Sequence, residues 1–133
     1  MAGEKERGTI EQLREQGSYT VSDELRAKIQ ATFAGGFCND IQTREKIGHA
    51  WRDHRYLIDT HTAVAWDVAQ QYKQANPEHN AVVVLSTASP YKFPAAVLEG
   101  IGEKAEGDEF DVMEQLHKVT GVPVPKNLAD LRS

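Results

Sequence analysis

At 133 residues, 40% hydrophobic and 26% charged, the chain has the size and composition of one globular domain able to bury a core. Its formal charge of −5, with acidic and basic residues interspersed, argues against the clustered Lys/Arg surface of a nucleic-acid binder, and no window approaches the roughly 20 apolar residues of a membrane span. A single cysteine, Cys38, leaves no internal disulfide, and the opening MAGEKERGTIEQLREQG lacks the apolar core of a signal peptide, so the cytoplasm is the expected compartment.

Residues 1–9 are charged and without period, and are expected to be disordered ahead of a single domain over 10–133. Ile10 and Leu13 suit a short helix or turn that ends at Gly17, and the strand formers of Tyr19–Val21 suit a brief edge strand. Ser22 or Asp23 then caps a helix to about Phe33, with Leu25, Ile29 and Phe33 on one face, and Gly35-Gly36 stops it. Asn39 or Asp40 caps the next helix, to about Arg55, with an apolar stripe of Ile41, Ile47, Ala50 and Trp51. Asp59-Thr60-His61-Thr62 opens another, which ends before Asn76-Pro77 and carries a narrow stripe of Ala65, Val68, Ala69 and Tyr72.

Ala81 to Leu85 is a continuous apolar run bounded by polar turns, the pattern of a strand covered on both faces. Helices are expected from Pro90 to about Ile101 and from Asp108 to Val119, the latter with Phe110, Met113, Leu116 and His117 toward a core. In the Pro-punctuated tail, Leu128 and Leu131 suit a last docking turn. The sum is about five helices and one or two strands. One buried strand cannot satisfy its own backbone, so either a second strand forms near Tyr19–Val21 or the chain is one part of a larger α/β body.

The end of the predicted strand, Ser86-Thr87-Ala88-Ser89-Pro90, raises the question of function. Ser89-Pro90 fits an N-cap and first helical position and needs no ligand. Ser86 and Thr87 are not used up by that cap, and strand ends in open α/β sheets are where hydroxyls meet ligands. Asp59-Thr60-His61-Thr62 reads either as a cap or as a histidine placed for proton transfer or an anion. Cys38 has no activating neighbour in sequence, and His49, His54, His79 and His117 fall at no metal-ligand spacing. Lys92 reads as a solvated lysine, with a phosphate-binding role at the helix start as the sharper alternative.

The segments LIDTHTAVAW (Leu57–Trp66) and VVLSTASPYKFPAAV (Val83–Val97) resemble threonine synthase, in the C-terminal part of its longer bacterial and fungal form. The stretch GSYTVSDELRAKIQATFAGGFCND and the closing VPVPKNLADL resemble the same family, so the likeness covers nearly all of Leu13–Leu131. The resemblance implies part of a three-layer α/β/α fold shared with the tryptophan synthase β subunit. It also implies pyridoxal phosphate as cofactor, and conversion of O-phospho-L-homoserine and water to L-threonine and phosphate. It assigns the Thr87 hydroxyl to the pyridine nitrogen with Ser86 beside it, and puts His61 and Thr62 close to the cofactor. Thr60 stands where the family usually has Pro. No lysine lies in a context matching the Schiff-base lysine, and no Gly-rich phosphate cradle is present. The expectation is therefore a C-terminal portion that does not hold the cofactor alone and tends to self-associate, with a non-catalytic interaction module of the same fold as the alternative.

Overall fold

The computed structural model describes residues 2–78 and 81–132. The chain divides into two compact units, Met1–Gly35 and Gly36–Ser133. The first holds α1 (Ala2–Gln16) and α2 (Asp23–Gln30). Ser22 caps α2 by accepting from the Leu25 amide at 3.3 Å, as the sequence predicts. Its apolar stripe is not covered, since Leu25, Ile29 and Phe33 are all exposed. Tyr19–Val21 forms no strand, because no extended neighbour pairs with it.

The second unit contains α3 (Asp40–His54), α4 (Thr60–Ala75), α5 (Pro94–Gly100), α6 (Glu109–Thr120) and α7 (Lys126–Ala129). Helix α3 is central: it packs on α4 and on α5, and α5 packs in turn on α6. Local chemistry sets most of the ends. Asn39 and Gln42 form a reciprocal capping box on α3, Asp108 and Asp111 another on α6, and Gly121 takes the left-handed conformation (φ 70°) that closes α6.

The core is built from Ile47 and Ala50 of α3, Leu57 and Ile58 of the following link, Ala63 of α4, Val97 and Leu98 of α5, and Val112, Met113 and Leu116 of α6. Helices α3 and α5 approach so closely that a Cβ on Gly48 would stand 2.5 Å from the carbonyl oxygen of Gly100. Tyr91 is buried and donates its hydroxyl proton to the carbonyl of Val122, which ties the closing segment to the core. Burial there pushes the phenol above its ordinary pKa, and a hydrogen bond with Thr120 partly opposes the shift.

Four expectations are corrected. The predicted helix from Pro90 to Ile101 is split into a 3-10 turn, Pro90–Lys92, and α5, because Phe93 precedes Pro94 and is pushed out of the helical region (φ −135°, ψ 65°). Helix α4 turns Thr62, Ala63 and Trp66 toward the core instead of the stripe ending at Tyr72, since burial is deepest in its first turn while Ala65 and Tyr72 are exposed. His117 is exposed, its ring held by the Val122 carbonyl at 2.8 Å, and Ile41 is exposed at the start of α3.

The fourth correction concerns the strand. No strand occurs among the described residues: Ala81–Leu85 runs without regular structure, and no backbone hydrogen bond joins 81–88 to another described residue. Val83 is 83% exposed and Leu85 73%. A strand exists only through its ladder partners, and no extended segment lies alongside this one. What the chain presents is the helix-rich part of an α/β fold. No helix among the described residues is long and apolar enough to cross a membrane.

Candidate functional site

The site is organised by Asp59, which is 1% exposed at the entry of α4. From sequence it reads only as a cap. One carboxylate oxygen accepts from the His61 amide (2.9 Å) and stands 3.0 Å from His61 Nδ1. The other accepts from the Thr62 amide (3.2 Å) and from the Thr62 hydroxyl. Burial alone pushes this carboxyl upward in pKa. The bonds from the Thr62 hydroxyl, the two amides and the His61 ring outweigh burial and hold the group below its ordinary value. Asp59 is therefore ionised at neutral pH and can only accept.

Two consequences follow. The His61 ring must carry a proton on Nδ1 in order to donate to the carboxylate. The Thr62 hydroxyl has one proton, and the carboxylate takes it. Ser86 Oγ lies 3.0 Å from Thr62 Oγ1, so in that bond Ser86 is the donor. A continuous chain thus runs from Asp59 through Thr62 to Ser86, linking two sequence segments 24 residues apart.

Thr87 follows Ser86, is exposed, and takes part in no hydrogen bond with the described residues. Ser89 does what capping predicts, accepting from the Tyr91 amide at 3.2 Å. Lys92 is exposed at the end of the 3-10 turn, its ammonium 5.8 Å from the centre of the Phe93 ring, and does not join the Asp59 cluster.

His61 lines an open cleft of about 500 Å³, together with Cys38, Thr43, Arg44, Val64 and Phe93. The imidazole is half-exposed and lies 5.7 Å from Phe93, the two rings tilted by 34°. Arg44 is engaged by Glu99 at 3.0 Å. Cys38 is half-buried, with Sγ 3.4 Å from the Thr43 hydroxyl. Arg44 and Phe93 were missed from sequence, since nothing local ties either to His61. Of the other histidines, His49 and His54 sit apart from this cluster against Trp66, ring centres 6.0 and 5.7 Å away, and His79 lies outside the described residues. No three His, Cys, Asp or Glu side chains among the described residues are placed to hold a metal ion.

The described residues thus form a helical body with an unpaired apolar segment, whose end is tied through Ser86 and Thr62 to a buried carboxylate. The family described as "Threonine synthase, C-terminal" matches residues 62–132, and the chain belongs to it. Threonine synthase of Corynebacterium glutamicum is 29% identical over 113 residues, covering 81% of this chain and 23% of that protein. Threonine synthase of Eremothecium gossypii is 32% identical over 110 residues, with 78% and 21% covered. Among solved structures, pyridoxal-phosphate-bound threonine synthase from Brucella melitensis superposes with a TM-score of 0.59 at 29% identity, over 81% of this chain and 23% of that one. The chain thus spans about a fifth to a quarter of the length of these relatives.

Proposed function

We propose that this chain supplies one wall of a threonine-synthase site, in which Thr87 meets the pyridine nitrogen of pyridoxal phosphate and the complete body turns O-phospho-L-homoserine and water into L-threonine and phosphate. The observation that carries the reading is the Thr62–Ser86 bond, which joins the chain's two threonine-synthase-like motifs at one point. The residues present fit one edge of the cofactor only. Thr87 offers an exposed hydroxyl with no competing partner among the described residues, which suits a ring nitrogen. A neutral hydroxyl also leaves that nitrogen free to change protonation, as a carboxylate would not. The anchors do not fit: Lys46 is tied to Asp67 and Gln70, Lys92 stands over Phe93, and no glycine-rich phosphate cradle adjoins Ser86. When bound, the cofactor supplies the electron sink, and the part of this chain is to present Thr87 beside the tethered Ser86.

Two measurements test this. Incubating the chain with pyridoxal phosphate, reducing with borohydride and mapping peptides is expected to label no single lysine; specific labelling of one would refute the missing-anchor reading. In a chimera carrying residues 36–131 in place of the matching segment of the Brucella melitensis enzyme, threonine formation is expected to persist. Thr87→Val is expected to lower turnover while the cofactor stays bound. An unaltered turnover would remove Thr87 from the site.

A second reading, an interaction module of the same fold without catalysis, is favoured by the exposed Val83 and Leu85 on a backbone with free donors and acceptors. The first reading, in which the chain is one part of a larger body, anticipates self-association through 81–85 in a cytoplasmic setting. Sedimentation showing a well-folded monomer at high concentration would count against that first reading and favour the module.

A further inference from the structure

The Asp59–His61 pair does more than begin a helix. A cap needs the carboxylate to accept from the amides of the first turn, and Asp59 does so with both oxygens. The contact from the same carboxylate to His61 Nδ1, at 3.0 Å, adds little to that task, because the two amides already make the cap and the imidazole, 53% exposed, is open to water. What the contact does set is the chemistry of the ring. Since the ionised carboxylate only accepts, Nδ1 keeps the proton and Nε2 carries the lone pair. Nε2 has no partner among the described residues, on a ring that lines the 500 Å³ cleft and lies tilted against Phe93. Of the other charged residues in the cleft wall, Arg44 is engaged by Glu99 and Asp40 is acidic, and the amides at the start of α4 are taken up by Asp59. The site is thus poorly suited to an anion and well suited to a group that gives up a proton.

We propose that His61 Nε2 is the proton-accepting group of this cleft, for a small polar ligand presenting an O–H or N–H, and that Asp59 is its positioning residue. In the step, the ligand's X–H bond breaks, its proton bonds to Nε2, the electron pair stays on X, and the imidazolium formed is held by the Asp59 carboxylate. The same carboxylate holds Thr62, and through it Ser86, so one buried charge orients both the base and the end of the apolar segment 81–86. The inference concerns only this chain's residues and stands whether or not it serves a cofactor.

Long-range ¹H–¹⁵N NMR on the labelled chain, with its imidazoles neutral, tests it without any ligand. The expected result is a protonated Nδ1 and an unprotonated Nε2; a ring carrying its proton on Nε2 overturns the proposal. In Asp59→Asn, which still caps the helix, the ring is expected to lose its single tautomer, with the Nε2-protonated form populated under the same conditions, because the charged acceptor facing Nδ1 is gone. An unchanged ring tautomer in a folded D59N chain overturns the positioning role. Neither outcome bears on the borohydride and chimera experiments, so failure here is separable from failure of the threonine-synthase reading.

Discussion

Replacing Asp59 with alanine removes three things at once, and the structure sets the size of each. The cap of α4, two amides at 2.9 and 3.2 Å, is worth about 1 kcal/mol. The Thr62 hydroxyl, on a residue 5% exposed, loses its acceptor, a cost of about 1–3 kcal/mol. Ser86 lies 3.0 Å from that hydroxyl and takes up part of the loss, which sets this term near the low end, about 1 kcal/mol. The half-exposed imidazole contact adds little. The expected destabilisation is about 2–3 kcal/mol at neutral pH, read as a lowered urea midpoint at constant m. The sign with pH also follows. Hydrogen bonds hold the folded Asp59 pKa below its unfolded value of about 4, so its contribution is fully present above that value. It is lost as the pH falls through the lower folded pKa, and the gap between wild type and Asp59→Ala should narrow in acid. A loss under about 0.5 kcal/mol at neutral pH, or a gap that does not narrow in acid, would refute the reasoning.

Other outcomes can be checked by the same melts. Leu116→Ala, at a fully buried position of α6, is expected to cost about 2–5 kcal/mol. Gly48→Ala improves helix propensity by about 1 kcal/mol. It nevertheless sets a methyl 2.5 Å from a backbone oxygen of the adjacent α5 turn, so a net loss of stability is expected. Val83→Lys leaves the melt of the chain alone unchanged, because the side chain is already in water, but lowers any concentration-dependent association seen by light scattering.

Much of this protein was legible in order along the chain, wherever a residue acts on neighbours within one turn. Ser22, Asn39, Asp59, Asp108 and Gly121 mark helix ends because capping uses donors and acceptors two or three residues away. Phe93-Pro94 held an equally local signal, and reading it would have broken the helix after Lys92 where the structure does. The two motifs around His61 and Thr87 carried the family likeness for the same reason, as short contiguous patterns. Tertiary structure alone decided the rest. Which stripe of α4 is covered depends on where α3 lies, and the β-branched run of Ala81–Leu85 has no strand to join, since a ladder is made by two segments and never by one. Likewise, Asp59 reads from sequence as an ordinary cap. Only the fold brings Ser86 to Thr62 and Phe93 to His61, and so sets a buried carboxylate between the Ser86 hydroxyl and an imidazole facing an open cleft.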